Sequence, residues 1–307
     1  MEKEMWIPMS DGHEIFVYNW SDESVAPRAI IQIAHGMAEH GGRYKKFGEH
    51  LALNGVMIYV NDHRGHGRTG EKSGLLGHFN DKNGFERAVT DLKEINEYIH
   101  HNHQDVPVFL MGHSLGSFLV RRFVQKYNGV VKGVIISGTG GDTGIAGKLA
   151  KKVVKSQIRK LGKQTESPLL NKLIFGNYNK KINSPKTDYD WLSRDKKEVQ
   201  KYIDDPLCGF IPTAGFFEDL LDGLRLIHQD GEVEKIEKDM PFFFFSGEQD
   251  PLGKRTKAVL SVINQYKKHG IRKIDYKFYK EGRHEMLNEV NRDDVTRDIV
   301  KWLEQQV

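Results

Sequence analysis

Cysteine is almost absent from this 307-residue chain: Cys208 stands alone. One cysteine excludes an intramolecular disulfide and a cysteine-based zinc cluster, and it suits a reducing compartment. Long apolar runs are missing as well. The longest obvious one, Pro241 to Phe245, is far short of the roughly 20 residues of a membrane-spanning helix. Met1-Glu2-Lys3-Glu4-Met5-Trp6 is too charged for the core of a signal peptide. No charge dominates either, since 46 Lys+Arg against 42 Asp+Glu leave +4. The expectation is a soluble, cytoplasmic globular protein with no nucleic-acid partner. Apolar residues make up 38% of the chain, enough for a substantial core, which excludes disorder as the main state. The length suits one large domain or two small ones, because domains run roughly 100–200 residues and α/β folds often reach about 250.

The mild net charge hides an uneven distribution. Between Gly141 and Lys186 there are eleven Lys/Arg and only two acids, Asp142 and Glu166. That segment is +9 in a chain whose total is +4, so the remainder carries −5. A basic block in an otherwise acidic protein points to an anionic partner or surface.

Hydrophobic spacing gives the organisation. Glu14 to Trp20 alternates as a strand, after the turn signal Asp11-Gly12. Ala29 to Ala34, Val56 to Val60, Val108 to Met111, Val134 to Ser137 and Phe242 to Phe245 read as buried strands, and Ile274 to Tyr279 as a further strand. Between them, helical spacing runs through Tyr44–Leu53, Phe85–Ile99, Leu115–Tyr127, Phe217–Ile227, Thr256–Lys268 and Asp294–Gln305. Strands apolar on both faces, alternating with helices, mean a mostly parallel sheet covered on each side. The rhythm breaks after Gly138 and resumes near Phe217. The expected division is therefore a core of residues 1–139 and 216–307, interrupted by a basic, mostly helical insertion over 140–215.

The sharpest chemical signal is Gly112-His113-Ser114-Leu115-Gly116, after a strand and opening a helix. On such a turn the flanking glycines relieve crowding, and the serine is lifted toward solvent at a helix N-terminus. The chain has 13 serines. With glycine near one residue in ten, chance would supply roughly 0.1 such matches. A serine needs a base, a group that orients the base, and donors for the oxyanion. On an elbow of this kind the acid and then the histidine follow in chain order. Phe242–Phe245 leads into Ser246-Gly247-Glu248-Gln249-Asp250-Pro251, where Asp250 and Glu248 compete. Asp250 is preferred, because the following proline biases its backbone toward an extended form. His284 lies on a loop between the last strand and the last helix, where the base belongs. The His100, His101 and His103 group at a helix end reads as solvated, and His63 and His66 read as residues of a packed loop rather than ligands. No metal and no cofactor are needed for this chemistry. The backbone N–H of Leu115 and that of Met37, after His35-Gly36, are the expected oxyanion donors.

Taken together, His35-Gly36-Met37-Ala38-Glu39-His40-Gly41-Gly42-Arg43-Tyr44, Asp62-His63-Arg64-Gly65-His66-Gly67, the serine elbow and Asp250…His284 resemble the monoacylglycerol lipase and lysophospholipase group of α/β-hydrolases. Asp205-Pro206-Leu207-Cys208 extends the likeness into the insertion. The resemblance implies an α/β-hydrolase fold with an eight-stranded sheet, a mobile cap after the sixth strand, and hydrolysis of a single-acyl lipid ester. By position it implies that Glu39 and Arg43 lie near the polar headgroup end and that Tyr202 faces the substrate. Thr69 departs from the group, whose loop usually continues to serine there. The same triad also serves short-chain esterases, thioesterases and aminopeptidases. A non-catalytic lipid-binding protein on this fold would be a rival of another class.

In the insertion, Ile145, Leu149, Val153, Ile158 and Leu161 are expected on one helical face among seven Lys/Arg between Lys148 and Lys163. A basic amphipathic helix of this type can rest on an anionic membrane. It can equally pack its stripe on the core and leave the lysines in water.

Overall fold

The apolar runs form the interior of one sheet. The computed structural model describes residues 1–307, the side chain of Lys181 excepted. Strands β3 (Ala29–Ala34), β5 (Val108–His113), β6 (Gly133–Ser137) and β7 (Phe242–Gly247) are buried along their whole length. Burial on both faces is why they lack polar alternation. In β7, Phe242 and Phe244 enter the core on one face of the sheet, and Phe243 and Phe245 the core on the other. With β1 (Glu2–Pro8), β2 (Glu14–Trp20), β4 (Val56–Asn61) and β8 (Ile274–Tyr279), the order is β1-β2-β4-β3-β5-β6-β7-β8. The β1–β2 and β2–β4 pairs are antiparallel and the remaining pairs parallel.

Helices α1 (Lys45–Ala52) and α11 (Arg292–Glu304) cover one face. The other is covered by α3 (Gly84–Asn102), α4 (Leu115–Lys126), α8 (Ala214–Ile227) and α10 (Lys257–Lys268). Short α2 (Gly67–Ser73) follows β4, and α9 (Asp230–Val233) precedes β7. Thr69, the departure in the Arg64-Gly65-His66-Gly67 loop, has a structural task there. Its hydroxyl accepts from Phe16 N–H and donates to the Asp62 carbonyl, both at 2.9 Å.

Strand β1 is the one strand that hydrophobic spacing did not reveal, and the short α2 and α9 went unread as well. The strand lies at the sheet edge and pairs only with β2, so Ile7 alone is fully buried. Glu2, Lys3 and Glu4 point outward, and charge on an edge strand blocks pairing with another chain.

Between β6 and α8 the chain leaves the sheet and forms α5 (Gly144–Leu161), α6 (Pro168–Phe175) and α7 (Lys196–Asp204). The expected stripe on α5 is displaced. Val154 is its one fully buried side chain, and Ala150, one turn before it, and Ile158, one turn after, are half-buried. Ile145 is 77% exposed and Leu149 57%. The helix rests on α8, and because Val153 and Ile158 of the expected stripe also pack on the core, the buried seam is shifted by about one residue rather than replaced. Among the described residues, no helix is long and apolar enough to cross a membrane.

The turn from β5 into α4 needs its glycines. A Cβ on Gly112 would collide with the Gly116 carbonyl, and one on Gly116 with the Ala34 carbonyl. Gly116→Ala should therefore destabilise the fold by about 1–3 kcal/mol, read as a lower thermal midpoint. An unchanged midpoint would mean that α4 does not rest on β3 this closely.

Candidate active site

The loops after β3, β5, β7 and β8 meet at the carboxyl edge of the parallel strands and bring Met37, Ser114, Asp250 and His284 together. Open α/β sheets bind ligands at this edge. Ser114 sits at φ 51° and ψ −117°, a strained backbone for any residue but glycine. That conformation points its side chain away from α4 and into a cavity of about 600 Å³.

Asp250, not Glu248, faces the histidine. Its Oδ2 is 3.0 Å from His284 Nδ1, and its Oδ1 accepts from Leu252 N–H at 2.9 Å. Glu248 makes no side-chain hydrogen bond to His284 among the described residues. Burial works against the Asp250 charge, but His284 and the Leu252 N–H outweigh it and hold the carboxyl below the usual carboxylate range. Burial likewise pushes His284 down. The charge of Asp250, with smaller help from Glu285 and Glu39, more than restores it, so the imidazole titrates above its ordinary 6.5. With the Nδ1 proton directed at Asp250, Nε2 carries the lone pair. No Ser114 Oγ–His284 hydrogen bond is formed among the described residues; such bonds tighten when substrate fills the site.

Among the described residues, neither Met37 N–H nor Leu115 N–H has a hydrogen-bond partner. Both residues line the cavity beside Ser114. The loop that carries Met37 is held from several sides. Ala38 has φ 53°, and its carbonyl accepts from the Tyr202 hydroxyl and from Gly209 N–H, each at 2.9 Å. The Gly36 N–H donates to Glu39 Oε1 at 2.5 Å. Beneath it lie His35, His63 and His66, all buried, with the His35 and His63 rings 4.1 Å apart. Burial keeps all three well below the ordinary histidine value, so they are neutral packing under the loop.

Arg43 joins this loop to the one that carries the histidine. Its Nη1 lies 2.6 Å from Glu39 Oε2 and 2.6 Å from Glu285 Oε1, and its Nη2 2.7 Å from Glu285 Oε2. The guanidinium also lies 4.9 Å from the centre of the Tyr202 ring. Burial opposes both charges, yet the pairing wins: Arg43 is held above its usual value and Glu285 below. Glu39 and Tyr202 border the cavity, whereas Arg43 lies behind them. The polar groups that the resemblance placed toward a headgroup are thus engaged with one another, and the Tyr202 hydroxyl with the Ala38 carbonyl.

Aromatic residues of the insertion complete the site. Trp191 is 5.0 Å, ring to ring, from His284, and Tyr178 and Phe175 pack against Trp191. Sequence reasoning passed over them. The one available signal was an apolar Trp191-Leu192 pair inside a charged stretch. His40, Asp205 and Cys208 have metal-ligand chemistry, with ligand atoms within 4.8 Å of one another. His40 Nδ1, however, accepts from Gly42 N–H, so Nε2 carries the proton that it offers Asp205 at 2.9 Å. That tautomer leaves no imidazole lone pair for a cation.

A serine on this elbow, with a carboxylate and a histidine after it in chain order on a mostly parallel eight-stranded sheet, defines an α/β-hydrolase. The profile of the family described as "Serine aminopeptidase, S33" matches residues 25–291, and the chain belongs to that family. It is 26% identical over 291 residues to a monoacylglycerol lipase of Mycolicibacterium smegmatis, covering 94% of this chain and 92% of that one. It is 26% identical over 246 residues to the monoglyceride lipase of Mus musculus, covering 79% and 72%. Among solved structures, a thermostable carboxyl esterase of Bacillus coagulans in complex with glycerol superposes with a TM-score of 0.91 at 27% identity, over 99% of this chain and 98% of that one.

Two outcomes follow from this geometry. Because His284 must be neutral to accept a proton and titrates above 6.5, kcat/KM should fall as pH drops through a value above 6.5. Asp250→Asn should move that limb to lower pH and cut kcat by about 10⁴, as a pH–rate profile would read. Arg43→Met leaves two buried carboxylates unpaired and should cost about 3–5 kcal/mol, measured by urea denaturation.

Proposed function

We propose that the protein is a serine hydrolase that cleaves carboxylic esters of single-acyl lipids, a monoacylglycerol or a lysophospholipid. The observation that carries this reading is the cavity itself. Ser114, His284 and the two unpartnered N–H groups border one space of about 600 Å³ whose other walls include Phe118, Ile174, Leu220 and Leu224. Its size and apolar walls suit a long acyl chain better than a two-carbon one.

In this reading His284 Nε2 takes the Ser114 proton as Oγ attacks the ester carbonyl. The negative oxygen of the tetrahedral intermediate is held by Met37 and Leu115 N–H groups, each such donor typically worth about 10²–10³ in rate. His284 returns the proton to the departing alcohol, and water, activated in the same way, releases the fatty acid from Ser114. The steps use no metal or cofactor. Residues 140–215 act as the cap over the acyl chain.

The lipase names of the relatives favour the neutral glycerol ester. The lysophospholipid has its own support: Lys172 and Lys254 border the cavity and form no ion pair among the described residues. An aminopeptidase would need a free carboxylate for the substrate's ammonium. Glu39 and Glu285 share the single cation of Arg43, while Asp142 and Asp188 border the cavity without an ion pair among the described residues, so amides belong among the substrates tested. We also propose that the cytoplasmic protein meets its lipid at an anionic membrane through the cap, where exposed Ile145, Leu149, Leu169 and Leu173 stand among lysines.

The test is fatty acid release from a monoacylglycerol and a lysophosphatidylcholine of equal chain length, with Ser114→Ala as control. One of the two should be cleaved, and Ser114→Ala should lose about 10⁶ in kcat. Cleavage of neither, with amides or short esters turned over instead, would overturn the lipid assignment. Sedimentation with anionic vesicles should carry the protein down at low salt and release it at high salt. No binding at low salt would remove the membrane contact.

A further inference from the structure

We infer that Trp191, on the insertion between β6 and β7, is a positioning residue for the His284 imidazole. The inference rests on the reading of His284 as the general base.

Three kinds of contact meet at this tryptophan. Trp191 is buried, at 7% exposure, and its ring lies tilted against the His284 ring at 5.0 Å. Its carbonyl accepts the His284 N–H at 3.3 Å, and the next carbonyl, of Leu192, accepts the Glu285 N–H at 2.8 Å. Arg283, just before His284, donates to the carbonyls of Asp190 and Ser193 at 2.5 and 2.9 Å. Arg194 is tied in turn to the buried Glu289 at 2.9 Å. Residues 190–194 thus form a backbone cradle for the loop that carries the base, although they come from the insertion and not from the core.

The cradle also limits how His284 can move. Asp250 holds Nδ1 from one side, the His113 ring stands 4.8 Å away on another, and a Cβ on Gly138 would come within 3.1 Å of Cε1. Trp191 supplies a further wall. Without it the imidazole could swing about its bond to Asp250 and carry Nε2 away from Ser114. Errors of about 1 Å in such a placement cost up to about 10² in rate. The charged and titratable groups that face His284 are Asp250, Glu285, Glu39 and His113, with Arg43 behind the two glutamates. Trp191 touches none of their charges. Its effect on the base is exclusion of water from one ring face.

On the other side of Trp191 stand Phe175, stacked at 5.9 Å, and Tyr178, edge-on at 4.9 Å. Both come from the part of the insertion that covers the cavity. Trp191 therefore lies between the residues that cover an acyl chain and the base that attacks its ester.

The test is Trp191→Phe, with Trp191→Tyr as a second variant should the first not fold. The readings are kcat, KM, the acid limb of the kcat/KM pH profile, and the rate at which a fluorophosphonate labels Ser114. The expected result is a kcat lower by about tenfold with KM within about threefold and labelling slowed in step. The acid limb should move to lower pH, toward the ordinary imidazole value, because water admitted at the ring weakens the hold of Asp250 that raises it. A folded variant with wild-type kcat and an unmoved limb overturns the inference. So does a rise in KM alone, which would make Trp191 only a wall of the cavity. His284→Ala separates the two readings. If it is inactive while Trp191→Phe is unaffected, only the positioning role fails. If His284→Ala retains turnover, the assignment of the base fails first.

Discussion

The guanidinium of Arg43 ties together two loops that the sheet keeps apart. One, after β3, presents Met37 N–H; the other, after β8, presents His284. They are about 240 residues apart in the chain and belong to opposite sides of β5 in the sheet. The fork of Arg43 spans Glu39 on the first and Glu285 on the second. Each carboxylate would be costly to bury alone. Buried with one shared cation and further hydrogen bonds, they become a fixed strut. On the proposed reading Met37 N–H, Ser114 and His284 must act at set distances, and this strut ties the outer two on either side of the elbow.

The strut also has a cap side. Tyr202 lies under the Arg43 guanidinium and reaches the Ala38 carbonyl, and Gly209 N–H reaches the same carbonyl. His40 and Asp205 add a second link. The insertion is thereby divided in two. Residues from about 187 to 213 are bonded to the catalytic loops at many points. Helices α5 and α6 join the core through Val153, Val154, Ile158, Leu170 and Ile174, and Lys151 and Lys163 add ion pairs to Asp222 and Glu218 of α8. The second half is bound into the loops that carry Met37 and His284.

Much of this was legible in the sequence, for identifiable reasons. Buried strands such as β3 and β7 announce themselves because both faces are apolar. The Ser114 elbow does so because sterics demand its glycines, and Asp250 and His284 because chain order on this elbow is fixed. What stayed hidden needed contacts between distant segments. β1 carries one buried side chain and three charges, so no run or alternation marks it. The seam of α5 is one residue off the expected stripe, because the surface it meets on α8 chooses the face and the helix offers two. The partner that joins Glu39 and Arg43 was hidden too. Glu285 directly follows the histidine, and nothing in its spacing shows that it turns back to a residue near position 40. The residues of the insertion that touch His284 were invisible for the same reason.

The place of the insertion has a consequence for descent. The chain leaves the sheet at Ser137 and returns at Phe242, and these residues end and begin neighbouring parallel strands. Whatever length of polypeptide lies between them, the two strands stay paired and the edge that bears Ser114 keeps its shape. Helix α5 can then drift in length, charge and exposed apolar surface from one lineage to the next, whereas α6 is tied to Trp191 through Phe175. Residues 190–194 lack that liberty, because their carbonyls and the Trp191 ring hold the loop of His284. Within one insertion, two neighbouring stretches of chain would therefore record their history at different speeds, the outer one fast and the inner one nearly as slowly as the serine elbow.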